Sequence, residues 1–103
     1  MYWNYRIILH KGVKICWDKN KNFPDTLAIH EVYYDEKGKP TSWTENPIDI
    51  SGQENIPDIE HLLDTIREAL NKPILEIDKK TETLKEINKE RQNDLSKSPE
   101  TEE

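Results

Sequence analysis

The chain has 103 residues, 33% hydrophobic and 35% charged, with a mean hydropathy of −0.99, which fits one small domain with part of its length outside any core. No apolar run approaches the ~20 residues that cross a bilayer. The net charge of −6 arises wholly in residues 51–103, which carry eight basic and fourteen acidic side chains against seven and seven before them; an acidic balance of this kind argues against a partner held mainly through phosphates.

Tyr2 to Leu9 alternates, with Trp3, Tyr5, Ile7 and Leu9 on one face and Asn4 and Arg6 on the other, and predicts a first strand. His10-Lys-Gly12 reads as a turn, Val13 to Trp17 as a short second strand, and Asp18 to Asp25 as a polar loop. Thr26 to Tyr34 is the strongest strand. Leu27, Ile29 and Tyr33 share one face and Ala28, His30, Val32 and Tyr34 the other, so both faces are partly apolar and a central position is expected. Asp35-Glu-Lys-Gly38 supplies a turn in which Gly38 can take a positive φ. Pro40 lacks the N–H that a ladder needs, which places the start of the return strand near Thr41 and its end at Thr44.

Glu45 to Asn55 then reads as a crossing loop. Pro57 suits a first helical position, and Asp58 and Glu60 suit the positive end of a helix. Ile56, Ile59, Leu62, Leu63, Ile66 and Leu70 form an apolar stripe expected to pack on the sheet. Lys72-Pro73 ends the helix, and Pro73 to Ile77 has the length of a last edge strand. From Asp78 onward the apolar content collapses, and between Lys79 and Leu95 the large apolar residues are Leu84, Ile87 and Leu95.

The expected fold is therefore α+β: a small antiparallel sheet of three to five strands in the order β-β-β-β-α-β, with one packed helix. Residues 1–77 make the domain, 78–95 a charged, marginally helical extension, and 96–103 a disordered tail.

The strings Trp3-Asn-Tyr-Arg-Ile7, Ala28-Ile-His-Glu-Val-Tyr-Tyr-Asp35, Gly38-Lys-Pro40 and Ser42-Trp-Thr-Glu45 resemble a family of small uncharacterised bacterial and cyanobacterial proteins. The resemblance spans about residues 2–77 and implies the same hairpin, helix and terminal Lys-Pro-Ile-Leu strand, without an activity. In element order the chain is also similar to the HicB-like antitoxin domain, a partial RNase H-like sheet with a helix. Such antitoxins usually continue into a DNA-binding module, whereas residues 78–103 are acidic and free of repeats.

Composition points to few chemistries. His30 and Glu31 are neighbours on a strand and point to opposite faces, so they cannot act as a pair. His10, His30 and His61 fall in separate elements without ligand spacing, and Cys16 beside Trp17 reads as a small core residue. No catalytic residue, metal site or cofactor is expected. The aromatic residues are the better signal, because a sheet covered by a single helix leaves its other face open. Trp3, Tyr33, Tyr34 and Trp43 are accordingly the expected partner-binding residues, with Tyr33 on the face expected to be open. The expected function is a non-enzymatic protein-interaction module, an antitoxin-like or phage-borne inhibitor subunit for a basic protein partner. The alternative is single-stranded nucleic-acid binding by aromatic stacking. The absence of a basic-then-apolar leader and the lone cysteine give a cytoplasmic expectation with no membrane contact.

Overall fold

The computed structural model describes residues 2–12, 24–78 and 80–97. The expected short strand at 13–17, with Cys16 and Trp17, lies outside them. The fold is α+β, built on five strands and two α-helices. Strands β1 (Tyr2–His10) and β2 (Thr26–Tyr34) pair antiparallel over their whole length, from Tyr2 opposite Tyr34 to His10 opposite Thr26. Strand β3 (Pro40–Trp43) returns on the outer side of β2, which makes β2 central as its two apolar faces require.

The hairpin turn is held by one side chain. Oδ1 of Asp35 accepts from the backbone N–H groups of Lys37 and Lys39, both at 2.9 Å, while Gly38 sits at φ 83°. Pro40 pairs with Tyr34 after all, across a register shift between Tyr33 and Tyr34. A proline is tolerated there because β3 is an edge strand and its missing N–H breaks no inner ladder.

Helix α1 (Ile56–Arg67) starts where the sequence placed it. Asn55 caps it by accepting from the Asp58 N–H at 2.9 Å, and a 3₁₀ turn over Glu68–Asn71 continues it. Strand β4 (Leu75–Asp78) then enters beside β1 and parallel to it, with Ile8 opposite Leu75. The sheet is thus mixed rather than wholly antiparallel, in the order β3-β2-β1-β4-β5. A long connection carrying a helix is the connection that a parallel neighbour needs.

The sheet does not stop at residue 77. Strand β5 (Thr83–Glu86) pairs antiparallel with β4, and helix α2 (Lys89–Ser96) follows, so β4 is an interior strand and not the last edge. Leu84 and Ile87, which the sequence reading assigned to a charged extension, are both buried. Further bonds tie this segment down. The Ile87 N–H donates to the Ile74 carbonyl at 3.0 Å, the Ile74 N–H donates to the Gln92 side chain at 2.7 Å, and Arg91 pairs with Asp25 at 3.0 Å.

Two clusters form the core, one on each face of the sheet. Ile8, Val32, Tyr34, Leu75 and Leu84 fill the first, with Trp43 and Ile77 packed against it. The register puts all of them on one face. Among the described residues no helix lies over that face; instead the sheet curls until the edge strands β3 and β5 meet across it. On the other face Leu9, Ile74 and Ile87 form a smaller cluster, with Ile7 and Leu95 against it.

Candidate functional site

The curl decides the fate of the four expected partner-binding residues. Tyr34 and Trp43 lie on the closed face, so neither offers the free surface expected of it. Tyr34 is only 6% exposed, and Trp43 is half-buried against the same cluster. The expectation of an open face opposite the helix fails here because the sheet covers that face with its own edges.

Trp3 and Tyr33 behave differently. They stand directly opposite each other on β1 and β2, on the face that carries α1. Trp3 is 44% exposed and meets Tyr5 edge-to-face, with centroids 5.3 Å apart; Tyr33 is half-exposed. The Tyr33 hydroxyl donates to Oε1 of Glu31 at 3.2 Å, which keeps that half-buried carboxylate partnered. Desolvation, with the Glu31 carboxylate adding to it, holds the Tyr5 and Tyr33 phenols above their ordinary value. Asp58, His61, Leu62 and Thr65 of α1 line a cleft with Trp3 and Tyr5.

Helix α1 presents the larger surprise. None of its residues is buried, and its apolar stripe does not form the core it was expected to form. Ile56, Ile59, Leu63 and Leu70 are 65%, 38%, 49% and 63% exposed. At about 100° per residue, Ile56, Ile59 and Leu63 occupy one arc of the helix, and the exposed Leu70 of the following 3₁₀ turn extends it. Leu62 and Thr65 occupy another, and Ile66 lies between the two; these three are the half-buried residues of α1. The helix therefore rests on the sheet by a mixed side and turns Ile56, Ile59 and Leu63 outward. Leu70 lines a cleft with Gln92 and Leu95 of α2, whereas Ile56, Ile59 and Leu63 are left exposed.

The inner face of the sheet holds a polar chain between the two core ends. The Arg6 guanidinium is buried and donates to the Tyr34 hydroxyl at 2.9 Å and to the Pro73 carbonyl at 2.8 Å, while Nε has no partner among the described residues. The Tyr34 hydroxyl in turn donates a hydrogen bond to Oδ1 of Asn4 at 2.7 Å. Across from Arg6, the buried His30 places Nδ1 2.9 Å from the Thr44 carbonyl and Nε2 2.9 Å from Nε2 of His10. A carbonyl only accepts, so Nδ1 of His30 carries the proton and its Nε2 accepts from His10. This contact was not legible in the sequence, because the β1–β2 register sets His10 opposite Thr26 and His30 opposite Arg6, and the two rings meet only across the curled face.

Burial holds the His30 imidazole below its ordinary pKa of 6.5, and the nearby His10 pushes the same way against the Thr44 hydrogen bond. The charged groups facing it on the sheet are His10 and the Arg6 guanidinium, and both disfavour a second positive charge. Stability should be level above about pH 6.5 and fall as the pH drops below it, because the unfolded chain then binds a proton that the folded one resists. Denaturant unfolding of wild type and His30→Gln between about pH 5 and pH 8 checks this, and the variant should lose the slope near pH 6. Asp25, held low chiefly by the Gly12 N–H, acts only below its ordinary 3.8 and leaves that window clear.

Among the described residues no group of three or more His, Cys, Asp or Glu could hold a metal ion, and no helix is long and apolar enough to cross a membrane. Compared with protein-family models, curated proteins and solved structures, the chain matches none.

Proposed function

We propose that this chain is a non-enzymatic protein-interaction module that docks through the outward apolar arc of α1. The observation that carries this reading is the orientation of the helix. A surface helix normally turns its apolar stripe to the core, and one that turns it to solvent is the form taken by helices that dock into a partner. Trp3 and Tyr33 lie on the same side of the molecule and extend the candidate surface. The resemblance in element order to HicB-like domains supports a narrower form, an antitoxin-like or inhibitor subunit. Stacking on single-stranded nucleic acid has less support, because Glu31 and Asp58 flank the exposed aromatics.

The test separates a docking face from a core face. Leu63→Ala should cost under about 1 kcal/mol, against ~2–5 kcal/mol for a Leu that fills a core. The wild type should bind an apolar fluorescent dye, and the stronger variant, Ile59→Asp with Leu63→Asp, should keep a cooperative melt while losing that binding. Unfolding of that variant would show that the arc belongs to the fold, and the reading would fail.

A further inference from the structure

We infer that the occupant of the α1 arc is α1 of a second copy of this chain, laid antiparallel across a two-fold axis. This rests on the reading of α1 as a docking surface and adds the identity of the partner.

The spacing of the arc is the first ground. Ile56, Ile59, Leu63, Ile66 and Leu70 follow each other by three, four, three and four residues, the repeat of a helix-on-helix seam. Leu62 and Ala69 widen that stripe on the side turned to the sheet, and the exposed Ile56, Ile59, Leu63 and Leu70 are the part left over to meet another helix of the same kind.

Charge is the second ground, and it also selects the direction. One flank of the seam holds Leu62 and Ala69 and is turned toward the chain's own sheet. The open flank holds Glu60 and Arg67, one heptad apart and both exposed. In an antiparallel pair, open flank meets open flank, and Glu60 of each copy falls beside Arg67 of the other. This holds in the register that sets Leu63 opposite Ile66 and Ile59 opposite Leu70. Shifting one copy by a heptad would bring Glu60 against Glu60, so the charges choose between the two seams. A parallel pair would set Glu60 against the apolar flank and form no ion pair. The pairing is self-complementary, as a two-fold interface must be.

The domains have room. The arc and the sheet-facing side of α1 lie roughly 90° apart around the helix, so two copies joined by the arc set their sheets to the side of the seam rather than against each other. The twelve residues of α1 span about 18 Å, which buries less than the ~800 Å² per partner of a standard stable interface. The dimer should therefore dissociate on dilution.

Sedimentation equilibrium of the full chain, with Cys16 kept reduced, tests this over about 1 µM to 1 mM. The expected result is a mass that rises from one chain to two within that range. Leu63→Asp should remain a monomer throughout. Glu60→Arg and Arg67→Glu should each weaken the dimer about fivefold or more, since each change alters two symmetric pairs. The double swap Glu60→Arg with Arg67→Glu should restore it, which a foreign partner surface would not require. A wild-type chain that stays monomeric, or a dimer indifferent to the charge swaps, overturns the inference. If the Ile59→Asp, Leu63→Asp variant also keeps its fold, the docking reading survives that failure; if it unfolds, both fall together.

Discussion

A chain that ends at Asp78 is expected to lose its cooperative unfolding transition. The removed segment contributes Leu84 to the larger core cluster and Ile87 to the smaller one, and both are buried. Deleting a buried Leu or Ile side chain typically costs ~2–5 kcal/mol, and a small domain has only about 5–15 kcal/mol in total. Losing both, together with the β4–β5 ladder, consumes most or all of it. Leu84 also meets its neighbours where the sheet edges close, so its loss opens the inner face holding Tyr34 and His30. The milder Leu84→Ala should cost ~2–5 kcal/mol in denaturant unfolding. A truncated chain that melts like the full one would place β5 and α2 outside the cooperative fold.

Tyr34→Ala should be the most damaging single change in the hairpin. It removes a buried aromatic, at about 3–5 kcal/mol for a large ring. It also takes from Arg6 the hydroxyl that accepts its Nη1 bond at 2.9 Å. Among the described residues Arg6 already has Nε unpartnered, and its other acceptor is the Pro73 carbonyl. Stranding a further donor of a buried cation costs at least the 1–3 kcal/mol of a neutral group. Tyr34→Phe isolates that second part and should cost about 1–3 kcal/mol with the ring still in place. In a double-mutant cycle, Arg6→Met with Tyr34→Phe should lose less than the sum of the single changes. Removing both partners leaves no buried guanidinium donor stranded, whereas removing the hydroxyl alone does. Denaturant midpoints of the four proteins measure this, and strict additivity would show that the hydroxyl does not hold the guanidinium.

How far the sequence could be read depended on the range of the forces involved. The bounds of β2, the turn at Asp35–Gly38 and the start of α1 at Ile56 were legible because they follow from local terms. Alternation, a turn glycine and a capping position each act within a few residues. The division of β2 into a Tyr34 face and a Tyr33 face was legible for the same reason, since strand geometry alone imposes it.

Which face would be open was not a local question. It turned on the sheet curling until β3 met β5, and that closure depends on Leu84, a single apolar residue in a charged segment. A lone leucine among lysines and glutamates carries no periodic signal. Its burial is set by the β4–β5 turn, where Glu82 takes a positive φ of 55° that no composition rule anticipates. The His10–His30 contact likewise needed the curled sheet, since the β1–β2 register sets His10 opposite Thr26 and His30 opposite Arg6.

The helix marks the boundary between the two kinds of information. The sequence by itself determined that α1 exists and that its apolar residues share one arc, because both follow from 3.6-residue periodicity and capping. It could not determine the rotation of that arc about the helix axis relative to the sheet. Rotation is fixed by the connections at each end and by what the sheet face already holds. Here Leu9, Ile74, Ile87 and Leu95 pack one part of that face, and Trp3 and Tyr5 stand at another. With those positions taken, α1 rests on its Leu62, Thr65 and Ile66 side, and Ile56, Ile59 and Leu63 of the stripe that pattern alone would assign to the core are left facing outward.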